Sequence, residues 1–226
     1  AGETTEAVID DQCRSAISAM ATHHIAAAEP YAAKLRAQGY RSVHCLGALG
    51  LARLQQARRV NKDRPCVLVA FHPETRNLHA VSGHVAELVN ALTCMDIHVV
   101  WTEPGMDVGR RVIISVMEKR WDRQVFSDEQ WVGIMSIADV LVGNSSCGII
   151  ETPSIPLASV NIGDRQKGRL MASSVIQAPH DRTAIRAAID LALNPEWRRL
   201  NLTGVNPYGD RGAAKRIAEF LLTCAL

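Results

Sequence analysis

The chain has 226 residues, of which 47% are hydrophobic and 21% charged, and its formal net charge is +2. This composition is typical of one large or two small folded domains and excludes a disordered tail, a collagen-like chain and a coiled coil. The near balance of charge argues against general affinity for nucleic acid, and the longest apolar runs, about eight residues as in Cys45–Ala52, are too short to span a membrane.

The first fifty residues indicate the closing part of an α/β unit. The chain opens at Ala1-Gly2-Glu3, with neither Met nor a signal peptide. We then predict alternating helices and strands, over Glu6–Met20, His24–Ala27, Pro30–Ala37 and Arg41–Leu46. A helix over Ala52–Arg59 would join this unit to a domain that starts near Arg64.

From about residue 64 onward, short apolar strands alternate with amphipathic helices. The predicted strands are Cys66–Phe71, Ile97–Trp101, Asp139–Val142, Leu157–Asn161 and Val175–Gln177. Helices are predicted over Asn77–Leu92, from Asp107 to Met117, from Cys147, after Asn194-Pro195 and over Gly212–Cys224. Nearly continuous apolar strands separated by helices indicate a doubly wound parallel sheet that is covered on both faces. In the last helix, Ile217, Phe220, Leu221 and Cys224 share one face.

The cysteine pattern indicates a reducing compartment. Six cysteines are widely and irregularly spaced, with no CxxC pair and no Cys/His cluster at zinc-ligand spacing (Cys13, Cys45, Cys66, Cys94, Cys147 and Cys224). We therefore expect free thiols, a cytoplasmic protein and no metal site.

Polar residues follow four of the predicted strands, at the edge where ligands bind in a parallel sheet. The most informative segment is Gly143–Gly148, whose small residues and Ser145-Ser146 pair suit an anion such as a diphosphate. Arg165, Lys167 and Arg169 on the next loop could face the same anion. The alternatives are a turn that caps a helix and a solvated basic loop.

Several other residues are candidates with plain structural alternatives. Glu151, one turn after the serine pair, could accept hydrogen bonds from ribose hydroxyls or simply complement the helix dipole. His72 follows a strand and could donate to a phosphate or shuttle a proton. The alternative is a structural role, because most lone histidines do neither. Glu3, Asp10 and Asp11 are three neighbouring carboxylates, of which the Asp pair could be only a helix cap.

Taken in order, these segments resemble the UDP-N-acetylglucosamine 2-epimerase family, and within it the hydrolysing, N-acetylmannosamine-forming branch. The match covers essentially the whole chain. The segments that carry it are Gly2–Glu6 with Ile9–Asp11, Phe71–Thr75, Ala138–Gly148 with Glu151–Ser154, Val160–Arg169, and Asn206–Asp210. The sugar-facing segments depart more from the family pattern than the nucleotide-facing ones, for example at Arg14-Ser15 and Thr22-His23-His24.

The resemblance implies a glycosyltransferase-B-like α/β fold with one complete Rossmann-like domain and the last elements of a second. The expected divisions are 1–50 for the closing elements of an N-terminal domain, 51–205 for the nucleotide-binding domain and 206–226 for a helix that crosses back. It also implies that the chain is the C-terminal portion of a longer enzyme, because family members have most of a further domain before the Gly2–Glu6 segment. A truncated, degenerate or split protein is an alternative explanation.

The resemblance further implies roles for particular residues. Ser145, Ser146, Gly148, Arg165 and Arg169 would bind the UDP diphosphate, Glu151 the ribose and His72 the phosphate nearest the sugar. Glu3, Asp10 and Asp11 would act on the sugar ring, with His72 counted among the catalytic groups. The implied reaction expels UDP to form a 2-acetamidoglucal intermediate and then hydrates it, without a cofactor or metal.

Three other functions stay open. A non-hydrolysing epimerase would return UDP-N-acetylmannosamine, a glycosyltransferase of the same fold would need an acceptor, and an inactive module would only bind the UDP-sugar. The expected partner is a UDP-sugar, with no nucleic acid and no membrane. We also expect a homodimer, or association with a missing N-terminal half.

Overall fold

The fold contains two separate parallel sheets, as seen in a computed structural model that describes residues 1–54, 63–93 and 95–224. The smaller sheet has two strands, β1 (His24–Ala26) and β2 (Val43–Cys45), with His24 opposite Val43. Helices α1 (Asp10–Met20) and α2 (Glu29–Ala37) accompany it, and a 3-10 helix over Leu49–Arg53 follows. Most of the helix predicted over Ala52–Arg59 lies outside the described residues.

The larger sheet has five parallel strands in the order β4-β3-β5-β6-β7. They are β3 (Cys66–Ala70), β4 (His98–Trp101), β5 (Val140–Gly143), β6 (Ala158–Ile162) and β7 (Val175–Ala178). The chain moves from β3 to β4 on one side and then returns to β5 on the other, so the strand order reverses between β3 and β5. Ligands bind at such a switch point, outside the carboxyl ends of the strands.

Helices cover both faces of this sheet. They are α3 (Val81–Thr93, after a 3-10 turn over Leu78–Ala80), α4 (Arg110–Met117), α5 (Asp128–Ile137), α6 (Cys147–Ile150), α7 (Arg182–Leu193), α8 (Pro195–Asn201) and α9 (Ala213–Thr223). Strand β3 is buried on both faces: Val67 and Val69 pack into one apolar cluster, and Leu68 and Ala70 into the other. This alternation confirms the predicted doubly wound α/β fold.

Three helices begin later than their sequence pattern predicts. Helix α1 begins at Asp10 rather than Glu6, because the backbone N–H groups of Glu6 and Ile9 donate to other loops instead of to a helix. Helix α3 is preceded by the 3-10 turn, and α4 begins at Arg110 because Gly109 has a left-handed φ of 93°.

The last helix packs against the 3-10 helix Leu49–Arg53 and the small sheet. The Arg216 guanidinium donates to the Leu46 carbonyl from Nε at 3.2 Å and from Nη2 at 3.1 Å. The Phe220 ring lies against His44 at 4.1 Å between centroids. Leu221, predicted on the same face, is instead 54% exposed. The helix therefore returns to the N-terminal part, while the exact domain boundaries stay predictions.

Two further observations concern the whole described chain. No helix within it has both the length and the apolar character needed to cross a membrane. Five cysteines are free thiols, and Cys94 lies outside the described residues.

Candidate functional site

The candidate site lies at the carboxyl edge of the five-stranded sheet, around the switch point between β3 and β5. Because all five strands are parallel, their exits meet at this edge. The exit of β3 carries His72 and Glu74, that of β5 carries Asn144–Ser146, and that of β6 carries Arg165–Arg169. Gly143 ends β5 with a φ of 143°, where an added Cβ would lie 2.0 Å from the Ala70 carbonyl oxygen. Only glycine fits this turn.

Asn144 ties three of these exits together. Its side chain is fully buried; Oδ1 accepts the His72 N–H at 2.7 Å, and Nδ2 donates to the His72 carbonyl at 2.9 Å. Its own carbonyl accepts Nη1 of Arg165 at 3.2 Å and Nε2 of Gln166 at 2.7 Å. Neither Asn144 nor Gln166 was predicted as a site residue, although both lie inside the motif segments. What distinguishes these two residues is that their polar side chains are buried, and burial cannot be read from the sequence.

His72 is held as a neutral hydrogen-bond donor. Its Nδ1 accepts the backbone N–H of Gly105 at 3.1 Å, so the proton of the neutral ring is on Nε2. Burial, together with the positive charge of Arg165, lowers the pKa of His72 to about 3. At neutral pH, His72 can therefore donate a hydrogen bond from Nε2 but holds no positive charge.

Arg165 is a largely buried cation at this edge. Its side chain is 14% exposed, and Nη2 lies 3.4 Å from Oδ2 of Asp107 on the β4 exit. Its Nε is buried without a hydrogen-bond partner. Burial lowers the pKa of Arg165, and the charges of Asp107 and Asp10 oppose this shift. The guanidinium therefore stays charged and is fixed by two neighbouring loops.

The predicted serine pair lies at the start of the short helix α6. Both Ser145 and Ser146 are partly exposed, and the Ser145 hydroxyl accepts the Cys147 thiol at 3.1 Å. Gly148 is buried behind them, where an added Cβ would lie 2.4 Å from Oγ of Ser159. Close packing against β6 is thus a sufficient reason for glycine at position 148, and its contact with UDP stays a prediction.

The carboxylate segment lies across the same edge. Oε2 of Glu3 accepts Nε of Arg169 at 3.1 Å and Nη2 at 2.7 Å, and both side chains are nearly buried. Asp11 accepts the Thr5 N–H at 3.2 Å and lies 3.3 Å from Nη2 of Arg14. Asp10 is exposed at the start of α1, and its charge acts on Arg165. Glu3 therefore pairs with Arg169, and Asp10 acts on Arg165; these are the two arginines predicted to bind the diphosphate.

Backbone hydrogen bonds hold this segment between two strand exits. The Glu6 N–H donates to the Lys167 carbonyl at 3.3 Å on the β6 side. On the β3 side, the Ile9 N–H donates to the Thr75 hydroxyl at 3.1 Å, and the Arg76 N–H donates to the Ala7 carbonyl at 3.2 Å. Residues 6–9 therefore connect the His72 loop with the Arg165 loop.

Glu151 lies apart from these contacts. Its Oε1 accepts Nη2 of Arg53 at 3.1 Å, and the carboxylate is 12% exposed. Burial raises the pKa of Glu151 despite the opposing charge of Arg53. Gly50 lies directly against it, since an added Cβ there would be 3.3 Å from Oε1. The structure thus places Glu151 beside the linker from the small sheet, and its ribose role stays a prediction.

One small cavity borders the candidate site. A cavity of about 110 Å³ is lined by Glu3 with Gly2, Arg14 and Lys34. A larger cavity of about 710 Å³ lies along the edge strand β4 and near Trp121, and none of the predicted site residues line it. Volume alone therefore does not locate the chemistry here; the converging polar groups do.

Comparison with known proteins gives one family for the chain. A family model described as UDP-N-acetylglucosamine 2-epimerase matches residues 1–222. The polysialic acid biosynthesis protein P7 of Escherichia coli is 29% identical over 92% of this chain and 58% of its own length. A hydrolysing UDP-N,N'-diacetylbacillosamine 2-epimerase of Legionella pneumophila is 25% identical over 100% of this chain and 64% of its own length. The chain thus spans about three fifths of these relatives.

The fold matches solved structures of the same family. The crystal structure of UDP-GlcNAc 2-epimerase from Neisseria meningitidis bound to UDP-GlcNAc aligns with a TM-score of 0.75 at 15% identity, covering 96% of this chain and 65% of that protein. The enzyme from Methanocaldococcus jannaschii, in complex with UDP-GlcNAc and UDP, aligns with a TM-score of 0.74 at 11% identity, covering 99% and 68%. The predicted glycosyltransferase-B-like fold is confirmed.

Proposed function

The chain belongs to the UDP-N-acetylglucosamine 2-epimerase family, and from that premise we propose that it binds a UDP-sugar at the carboxyl edge of the larger sheet. We further propose hydrolysing 2-epimerisation, in which UDP-N-acetylglucosamine and water give N-acetylmannosamine and UDP. Relatives from Legionella pneumophila and Campylobacter jejuni carry hydrolysing 2-epimerase names, which supports this choice.

The diphosphate would bind between the exits of β3, β5 and β6. Arg165 supplies a fixed charge, and its Nε has no partner among the described residues. His72 supplies a neutral Nε2–H donor, and the hydroxyls of Ser145 and Ser146 lie on the intervening exit. Donors that are fixed before the reaction stabilise the charge that develops as UDP leaves. With its low pKa, His72 would aid departure by hydrogen bonding rather than by giving up a proton.

The proton transfers would fall to the carboxylate segment. In the first step the bond from C1 to the UDP oxygen breaks, the C2 proton passes to a carboxylate, and the glycal double bond forms. In the second step the water oxygen bonds to C1 while its proton passes to a carboxylate, and a carboxylic acid delivers a proton to C2 from the opposite face as the double bond is lost. Asp10 suits this role because, among the described residues, no arginine pairs with it as Arg169 and Arg14 do with Glu3 and Asp11.

One observation carries this proposal. Residues 6–9 are hydrogen bonded to the His72 loop on one side and to the Arg165 loop on the other. The groups that would hold UDP and the groups that would act on the sugar are therefore adjacent, although they lie up to 166 residues apart in sequence. That adjacency is what an elimination needs, because the leaving group and the C2 proton belong to neighbouring carbons.

Product analysis tests the proposal. We expect the chain, incubated with UDP-N-acetylglucosamine, to release UDP and N-acetylmannosamine in equal amounts, and Asp10→Asn to bind UDP normally but form neither. Asp164→Asn, an exposed change on the Arg165 loop, serves as the control. UDP-N-acetylmannosamine as the product would instead identify a non-hydrolysing epimerase, and UDP release only with an acceptor would identify a glycosyltransferase.

A second candidate is a module that binds the UDP-sugar without turning it over. It is favoured by the state of Glu3 and Asp11, whose carboxylates are already paired with Arg169 and Arg14. UDP binding with no product at any protein concentration would support it. A homodimer and a cytoplasmic location stay predictions in either case.

A further inference from the structure

Glu74, His84 and His180 form a polar cluster behind the Arg165 loop. Glu74 follows β3, His84 lies in the first half of α3, and His180 lies between β7 and α7. One potential ligand atom from each residue lies within 4.8 Å of the others. None of the three has a part in the UDP-sugar chemistry proposed above, and their spacing in the sequence gives no metal-binding motif.

We propose that Glu74, His84 and His180 bind a divalent transition-metal ion of the zinc class. Two imidazoles and one carboxylate are ligands that Zn²⁺ accepts, with a fourth position left for water. The three residues come from separate elements, up to 106 residues apart. An ion here would therefore hold together α3, the β3 exit and the segment before α7.

Two of the three ligands are already in contact. Nε2 of His180 lies 2.9 Å from Oε1 of Glu74. An ionised carboxylate and a neutral imidazole are the forms that bind metals.

The surroundings also suit a buried ion. The Glu74 carboxylate is 7% exposed, and Nδ1 of His180 is buried without a hydrogen-bond partner. Gly163 lets the pair pack directly against the backbone, since an added Cβ would lie 2.0 Å from Nε2 of His180 and 2.5 Å from Oε1 of Glu74. Glu74 also accepts the Asp164 N–H at 3.0 Å, so the cluster contacts the residue next to Arg165.

Coordination requires one rearrangement. The rings of His84 and His180 are stacked, with centroids 3.5 Å apart and an interplanar angle of 4°. A metal lies close to the plane of each imidazole that binds it, so two stacked, parallel rings cannot share one ion. His84 must therefore rotate out of the stack, which its partly exposed position on α3 and the broad χ2 distribution of histidine allow.

The test uses the whole chain, stripped with a chelator and titrated with ZnCl₂ by calorimetry, with no nucleotide present. We expect one Zn²⁺ per chain, and binding weakened more than about 100-fold in His84→Ala and in Glu74→Gln. Gln keeps an acceptor for the Asp164 N–H, so this variant keeps the fold. His79→Ala, an exposed histidine five residues before His84, is the matched control and should bind as the wild type does.

A second readout separates a built site from adsorption. Co²⁺ should give the visible absorption of a tetrahedral site in the wild type and in His79→Ala, but not in His84→Ala. Saturating Zn²⁺ should raise the melting temperature by about 5 °C or more. Zn²⁺ binding that is equal in the wild type and in His84→Ala, or no binding at all, overturns the proposal. Because no assay involves UDP, its failure is distinct from failure of the proposed function.

Discussion

Removing the Asn144 side chain tests whether the three strand exits form one unit. In Asn144→Ala, the His72 N–H and carbonyl lose partners at 2.7 and 2.9 Å. A buried group left unpaired costs about 1–3 kcal/mol, and His72 is partly exposed, so water can relieve some of this cost. We therefore expect the free energy of unfolding to fall by about 2–4 kcal/mol.

The same change should weaken UDP binding. The Asn144 carbonyl remains, so Arg165 and Gln166 keep their acceptor, and only the His72 loop is released. We expect the dissociation constant for UDP to rise about tenfold, or about 1.4 kcal/mol. Urea denaturation measures the stability and calorimetry at a temperature well below unfolding measures the affinity.

Asn161→Ala is the matched control, because Asn161 is also buried but donates to Gln177 at 2.7 Å rather than to His72. It should lose stability without losing affinity for UDP. If Asn144→Ala is destabilised as expected but binds UDP as tightly as the wild type, the His72 loop is not part of the nucleotide site. If both variants lose affinity equally, the effect is general destabilisation.

Three more predictions follow from single residues. Arg165→Ala should weaken UDP binding about 100-fold in calorimetry, whereas Lys167→Ala, at an exposed side chain, should change it less than about threefold. The pKa of His72 lies near 3 in the folded chain, below its value of 6.5 when unfolded, so stability is lost as the pH falls through this range. Acidification from about pH 6.5 to pH 5 should lower the free energy of unfolding of the wild type by about 1–2 kcal/mol, as measured by urea denaturation. The decrease should be smaller in His72→Asn, and an equal decrease in both proteins would contradict the assignment. Gly143→Ala should cost at least about 3 kcal/mol in the same denaturation assay, because its Cβ would meet the Ala70 carbonyl, and a stable variant would refute that close approach.

The sequence predicted the sheet because its strands are continuous apolar runs, but it missed two helices. Helix α7 buries Ile185, Ala188, Ile189 and Ala192, a helical spacing in which half of the members are alanine and give a weak apolar signal. Helix α5 buries only Val132, Met135 and Ser136, although Ser127 and Gln130 form a capping box at its start. Capping residues were thus a better signal than periodicity at this helix.

The site was predictable where chemistry follows a strand, and less so where it depends on contacts between loops. His72 and Arg165 stand at strand exits, and the structure brings them to the same edge. The pairing of Glu3 with Arg169, by contrast, joins residues 166 apart, and no local pattern encodes it. Nor does the sequence indicate that Glu151 would pair with Arg53, since that contact depends on how the linker after the small sheet packs.

The connection formed by residues 6–9 also bears on when the site appears during folding. Formation of the sheet can start by pairing strands that are close together in the chain. The Glu3–Arg169 ion pair, in contrast, closes a loop of 166 residues. Closing so long a loop costs chain entropy before any contact can offset that cost. We therefore expect the five-stranded sheet to form early and the candidate site at its edge to assemble last. During synthesis, Glu3 must wait for the loop after β6 before it can pair with Arg169.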